Sequence, residues 1–320
     1  MSKPCKDGWV SVVIPSYNRA SRLVASVNSC LEQTYEKVEV IVVDDGSTDE
    51  TRQVLEGLVE RWGAERVRSI HQENQGAPAA RNAGMAVATG EYLQWHDSDD
   101  LLMPDKLAEQ VAAIERTGAD CAVCDVLDVR DDAEHTPLAE NRYDHDLIAA
   151  TGRYRHASIP ALLMRRSTYP EMLRWNTRLK RYQDVDFVVR YLLSIRSVVY
   201  TPGFHVLYIH HEESRITDSY PEGPQERAMF DGLVEYWGQA RDVVPVRSHA
   251  LFRNAALTLA WMAALRGQAA DARAMIPFAV KGPGAMARWP RVAATAVMSC
   301  VPAAVLAQMR RFKRWFESRV

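Results

Sequence analysis

Two groups of carboxylates stand where apolar runs of the chain end. Val40-Ile41-Val42-Val43 runs into Asp44-Asp45-Gly46-Ser47, and Tyr92-Leu93-Gln94-Trp95 runs into His96-Asp97-Ser98-Asp99-Asp100. In the second group, alternate spacing aims the Asp97 and Asp99 carboxylates to one side of an extended segment. Oxygen ligands gathered at strand ends suit a hard divalent cation, Mn2+ or Mg2+, and the diphosphate such an ion carries. Nucleotide-handling chemistry is therefore the first expectation. The plainer alternatives are a solvated acidic turn at Asp97-Ser98-Asp99 and a turn with a helix start at Asp44-Asp45-Gly46.

The surrounding pattern supplies elements to hold these groups. Val10–Ile14 reads as a strand stopped by Pro15, and Leu23, Val27 and Leu31 recur on one helical face. A strand over 38–43 follows, then a capping box at Ser47-Thr48-Asp49-Glu50 and a helix with Val54, Leu55, Leu58 and Trp62 on its apolar side. A strand near 67–71, a helix from about Pro78, a strand over 91–95, a helix from about Pro104 and a strand over 120–129 complete the series. This alternation predicts an α/β fold with a mainly parallel sheet and helices on both faces, whose strand C-termini line the ligand crevice. After Asp131-Asp132 the alternation stops. A helix is expected through Asp184–Leu193, with Asp186 and Arg190 as a structural pair at i and i+4. From about 225 the chain reads as mostly helical.

Bulk composition excludes several classes. A chain of 320 residues that is 47% apolar and 25% charged is globular rather than disordered, and a net charge of -2 gives no reason to expect nucleic acid. The five cysteines, Cys5, Cys30, Cys121, Cys124 and Cys300, show no framework spacing. Cys121-Ala122-Val123-Cys124 lacks the second pair of a zinc site, so two small buried thiols are expected. The polar start does not read as a signal peptide, and Val292–Met309 is interrupted by Thr295, Ser299, Pro302 and Gln308. A cytoplasmic setting is the default expectation.

Five ordered motifs go further. They are Val12-Val13-Ile14-Pro15-Ser16-Tyr17-Asn18-Arg19; Val43-Asp44-Asp45-Gly46-Ser47-Thr48-Asp49; Asn74-Gln75-Gly76 with Ala80-Arg81-Asn82-Ala83-Gly84; Asp97-Ser98-Asp99-Asp100 with Pro104-Asp105; and Gln183-Asp184-Val185-Asp186-Phe187 with Arg190. Over about residues 10–217 the chain resembles the family 2 glycosyltransferases. The resemblance implies the Rossmann-like GT-A fold and inverting, metal-dependent transfer of a sugar from a nucleoside diphosphate, with UDP the expected carrier. Residues 1–130 would then form the nucleotide-sugar-binding half, 131–224 the acceptor-binding and catalytic-base half, and 225–320 a helical C-terminal region.

The resemblance also assigns roles. Asp45 faces the base, with Pro15 fixing the turn that lets Tyr17 stack its ring there. Arg81 faces the nucleotide, Asp97 the ribose and Asp99 the Mn2+ or Mg2+ ion. Asp184 takes the proton of the acceptor hydroxyl, with a bare helix N-cap as its plainer alternative. His211, in the His-x-x-Ser segment that ends at Ser214, is assigned to the metal or the diphosphate, although two exposed loop histidines, His210 and His211, are an adequate bland reading. Asn82 and Gly84 would let their helix approach the sheet closely. One departure stands out: Gln183 occupies the position before the base where the family usually has Glu. Trp175 and Tyr182 flank the base, and for each a sugar contact and core packing are both open.

The tail adds an expectation of its own. Val305, Met309, Phe312, Phe316 and Val320 fall at helical spacing, with Arg310, Arg311, Lys313, Arg314 and Arg319 between them. Such a helix suits peripheral contact through 290–320 with the inner face of a bacterial plasma membrane, and equally packs on the body of a protein. The expected acceptor is a hydroxyl of a glycan or lipid-linked intermediate in polysaccharide or cell-surface glycan synthesis. Two rivals are a nucleotidyltransferase, for which the chain lacks a basic, glycine-rich loop after the first strand, and an inactive nucleotide-sugar-binding module, against which Asp99 and Asp184 both argue.

Overall fold

A computed structural model of the chain describes residues 5–129, 136–137, 158–209 and 225–281. Strands β1 (Lys6–Ser16), β2 (Val38–Asp44), β3 (Val67–His71) and β4 (Gly90–Trp95) alternate with helices α1 (Ala20–Leu31), α2 (Thr51–Trp62) and α3 (Ala77–Val87). There follow β5 (Leu101–Leu102), α4 (Lys106–Thr117), β6 (Cys121–Val129), β7 (Thr136–Pro137), β8 (Leu162–Arg165), α5 (Gln183–Leu192) and β9 (Val198–Ile209). Helices α6 (Glu226–Ala240), α7 (Val246–Leu265) and α8 (Ala269–Lys281) end the described chain.

Every residue of β2 is buried, as is β1 from Val10 onward, so both faces of these central strands are covered. Sheet order is β3-β2-β1-β4-β8-β6-β9-β5, with β7 on β6. The β3-β2-β1-β4 half is parallel, as the alternation predicts. Strand β8 then enters antiparallel between β4 and β6, which pairs in parallel with β9. The sheet is thus mixed beyond β4. Leu162, Leu163 and Met164 are wholly buried in this central slot, a run too short to announce itself by periodicity.

Register positions the site. Ser16 pairs with Asp44 and Val13 with Trp95, so β1, β2 and β4 deliver Tyr17, Asp45 and Asp97 to one edge of the sheet. Gly84 lets α3 settle there: a Cβ at this position would lie 2.4 Å from Val13 Cγ1 and 3.2 Å from Val43 Cγ2. On the other half, Trp175 stacks on Phe187 at 4.2 Å, and Trp95 meets both rings edge-on. Trp175 is therefore a core residue rather than a sugar platform. Asp186 and Arg190 form the expected i,i+4 pair, buried within α5.

The capping box is not formed. Helix α2 begins at Thr51, and its cap residue Glu50 makes no side-chain cap bond. Instead Ser47 Oγ accepts the Asn18 N–H (2.9 Å), Asp49 Oδ2 accepts that of Ala20 (3.2 Å), and Asp49 Oδ1 accepts that of Thr51 (3.0 Å). The polar side chains read as a cap tie the β2–α2 loop to the β1–α1 loop. Cys121 and Cys124 are buried thiols as expected, and burial pushes Cys124 up to about 11.

Candidate active site

A cleft of about 530 Å³ opens at the edge where β1, β2 and β4 end, and Pro15, Tyr17, Asp45, Arg81, Asp97, Asp99 and Asp184 all line it. Only His211 among the expected site residues lies outside the described residues. The chain leading to it does reach the cleft. Tyr208 and Ile209 line the wall, and the Ile209 N–H donates to the buried Asp100 carboxylate at 3.1 Å.

Adjacent acids do different work. Asp44 makes the turn, with Oδ1 accepting the Ser47 N–H (3.0 Å) and Oδ2 contacting His71 Nδ1 (3.0 Å). Asp45 faces the loop Gln72–Gly76: Oδ1 takes the Gln75 N–H (2.9 Å) and the Gln72 amide (2.7 Å), while Oδ2 takes the Gly76 N–H (2.7 Å). A carboxylate oxygen has two lone pairs, so Oδ2 keeps acceptor capacity beyond this one bond. Gly46 makes the geometry feasible, since at φ 78° a Cβ there would press to 2.9 Å on the Asn74 amide nitrogen.

Arg81 is the hinge of the site. Its guanidinium donates to Asp97 Oδ1 at 2.7 Å and to Gln183 Oε1 at 3.3 Å, and it lies over the Trp175 ring at 4.3 Å. Burial holds the Asp97 carboxyl above the usual carboxylate range despite Arg81, and the charges of Asp99 and Asp184 push the same way. Asp97 thus feels a carboxylate of its own motif and one from the Gln183-Asp184 segment. His96, behind Asp97, is buried, bonds the Asp100 carbonyl (3.1 Å) and is held neutral by burial, its pKa pushed down to about 4. It is a strand-end residue.

Asp184 sits in the first turn of α5, whose N-cap is Tyr182. The cap alternative for Asp184 therefore does not hold, and its carboxylate lies where a helix N-terminus favours negative charge. Tyr182 has φ 57°, an uncommon backbone for an aromatic residue, and its exposed ring lines the cleft beside Lys180 and Arg181.

Two positioning features escape a reading by residue type. Asn82 does not ease the approach of α3 as Gly84 does. Its side chain bonds both backbone groups of Trp175, donating to the carbonyl (3.0 Å) and accepting from the N–H (2.9 Å), which pins the segment leading to Asp184 against α3. Arg19 reaches the acidic group from the opposite wall, with Nε 3.5 Å from Asp99 Oδ2. Both signals lay inside quoted motifs, but which carboxylate or backbone each would meet depends on the tertiary fold.

The donor set fits a hard cation. Asp97 and Asp99 offer oxygen ligands to the cleft, and among the described residues no group of three or more His, Cys, Asp or Glu side chains surrounds a common point. An ion with few protein ligands takes the rest from phosphate and water.

The profile described as Glycosyl transferase family 2 matches residues 11–181, more than half of the chain. The chain belongs to glycosyl transferase family 2. Relatives include an uncharacterized glycosyltransferase of Nostoc sp., 39% identical over 127 residues covering 40% of this chain and 39% of that protein. Glycosyltransferase GlyG of Streptococcus pneumoniae is 39% identical over 115 residues, 36% of this chain and 38% of the relative. Amylovoran biosynthesis glycosyltransferase AmsB of Erwinia amylovora is 28% identical over 202 residues, 58% and 64% of the two chains. The first two matches span about two fifths of the relatives' own lengths.

Solved structures share the fold of this family 2 chain. S. aureus TarS 1-349 in complex with UDP-GlcNAc superposes with a TM-score of 0.62 at 19% identity, covering 83% of this chain and 88% of that one. Mannosyltransferase PcManGT from Pyrobaculum calidifontis, in complex with GDP-Man and Mn2+, gives 0.53 at 19% identity, covering 96% and 82%. The fold class is GT-A with a helical C-terminal region. Sequence expectation and fold agree on this point.

Proposed function

We propose that this chain is an inverting, metal-dependent glycosyltransferase that moves a sugar from a nucleoside diphosphate, UDP in the first instance, to a hydroxyl of a glycan or lipid-linked acceptor. The observation that carries the reading is the convergence in one cleft of Asp45, Arg81, Asp97, Asp99 and Asp184, delivered by four separate segments. Pro15, Tyr17 and Asp45 form the base-binding end, where the Tyr17 ring is exposed for stacking. Asp97 faces the ribose, and Arg81 balances negative charge on the diphosphate. Asp99, with Asp97 beside it and His211 as the third candidate, would hold Mn2+ or Mg2+, and a bound ion there neutralises charge on the leaving diphosphate. Asp184 takes the proton of the acceptor hydroxyl as its oxygen bonds the anomeric carbon from the face opposite the breaking bond to phosphate.

Relatives that are named glycosyltransferases, one of them in amylovoran biosynthesis, support this class of reaction, as do fold neighbours in complex with UDP-GlcNAc and GDP-Man. The test is a thermal-shift screen of UDP- and GDP-sugars with Mn2+, followed by nucleotide release with candidate acceptors. A ligand at a hundred times its Kd stabilises the folded chain by about 2.7 kcal/mol. A clear rise in Tm with one nucleotide sugar and acceptor-dependent release are expected. Binding without release under any acceptor would favour the inactive binding module.

A further inference from the structure

Arg19 sits at the β1–α1 junction on a backbone held by Ser47, Thr48, Asp49 and Thr51 of the β2–α2 segment. Asn18, at φ 52°, turns the chain there, and its Oδ1 accepts the Thr48 N–H at 2.8 Å while its N–H donates to Ser47 Oγ at 2.9 Å. The Arg19 N–H donates to Thr51 Oγ1 (3.0 Å), and Ala20 is tied to Asp49 (3.2 Å). Asn adopts the left-handed region more readily than other side chains, and bonds on both sides hold this turn in place. The mostly buried side chain lines the cleft, with Nη1 donating to the Asn18 carbonyl (3.2 Å) and Nε 3.5 Å from Asp99 Oδ2. Across the cleft, Arg81 meets Asp97 at 2.7 Å. Each carboxylate of Asp97-Ser98-Asp99 is therefore faced by a guanidinium, one from each wall.

A guanidinium and a divalent ion repel each other and compete for the same carboxylate. A guanidinium fork also matches phosphate oxygens better than it matches a carboxylate shared with a metal. We propose that Arg19 is a diphosphate-binding residue that occupies Asp99 while the cleft is empty and transfers to the diphosphate when nucleotide and ion enter together. The inference rests on the nucleotide-sugar reading of the cleft. It makes ion and nucleotide bind synergistically: each alone must compete with the Arg19–Asp99 pair or leave it unexchanged, while the two together satisfy both partners. Removing the Arg19 side chain should therefore move two affinities in opposite directions.

The experiment measures Mn2+ binding alone, by electron paramagnetic resonance of the free ion, and UDP and GDP binding by calorimetry with and without saturating Mn2+. It compares the full-length wild type, Arg19→Ala and Arg19→Lys. Arg19→Ala should bind Mn2+ alone more tightly, by about threefold or more, because a cation that competes for Asp99 is removed. With Mn2+ saturating, the same variant should bind the nucleotide at least about tenfold more weakly, since a charged bond to phosphate is lost. Arg19→Lys keeps charge without the fork and should fall between. Equal weakening of both affinities, or no change in either, overturns the proposal, and an unchanged melting temperature excludes misfolding as the cause. Failure of the wild type to bind either nucleotide overturns the nucleotide-sugar reading itself and this inference with it.

Discussion

At the scale of single residues, the fold gives chemically identical neighbours different work. Asp44 closes a turn onto Ser47 and His71, whereas Asp45 is turned into the cleft and aligned by the Gln72–Gly76 loop. The chain also keeps a lysine where none is expected. Lys106 is wholly buried between Gln94 and Gln110, donating at 2.5 and 2.7 Å to their side-chain oxygens, with burial pushing its pKa from 10.5 down to about 8. The unfolded chain holds this proton up to about pH 10.5 and the folded chain only to about pH 8, so the burial penalty is full below the lower value and vanishes above the upper one. Relative to Lys106→Met, the wild type should therefore gain stability as pH rises through that window, by up to about 3 kcal/mol in total. Urea denaturation of both proteins at several pH values reads this difference. A gap that does not change with pH would show that Lys106 carries no such shift.

At the scale of elements, β1, β2, α2, β3, α3 and β4 were legible because periodicity and strand-end acids mark them. The slot of β8 was not, since a run as short as Leu162-Leu163-Met164 looks alike as strand or buried helix. The same divide runs through the site. Asp45, Arg81, Asp97, Asp99 and Asp184 could be named from motif order, and they line one cleft. The partners that orient them could not, because Asn82 is separated by 93 residues from the Trp175 backbone it holds. Those two bonds fix the approach of α5, and with it Asp184, to α3. Asn82→Ala should lose about 1–3 kcal/mol of stability and lower turnover about ten- to a hundredfold through misplacement of the base. Nucleotide affinity should change much less, because the proposed base-binding residues Pro15, Tyr17 and Asp45 stand at the ends of β1 and β2 rather than on α5. Steady-state kinetics and calorimetry on this variant give both readings, and unchanged turnover would remove Asn82 from the positioning of Asp184.

At the scale of the whole molecule, the family match ends at residue 181, just before the proposed base, and α6 beyond it packs on the helix that carries Asp184. Met229, Leu233, Tyr236 and Trp237 of α6 are buried, the Tyr236 hydroxyl bonds Ser194 Oγ at 2.7 Å, and Arg190 of α5 lies 5.7 Å from the Tyr236 ring centre. Helix α6 thus packs on α5, the helix that carries the proposed base. Residues 290–320 lie outside the described residues, and no helix among the described residues is long and apolar enough to cross a membrane. We propose that the basic, amphipathic tail read from Val305 to Val320 contacts an anionic membrane surface. Deleting 290–320 should shift the protein from sedimenting with anionic vesicles to the supernatant, and unchanged sedimentation would refute the contact.

In the proposed reaction Asp184 moves the proton while Asp45, Asp97 and Asp99 bind the donor. Asp184→Asn keeps shape and removes the base, so donor binding and transfer are compared between this variant and the wild type. Nucleotide-sugar and Mn2+ affinities should stay within about twofold, while transfer falls by about 100- to 10,000-fold. Full turnover in Asp184→Asn, or loss of donor binding in step with turnover, would contradict the account.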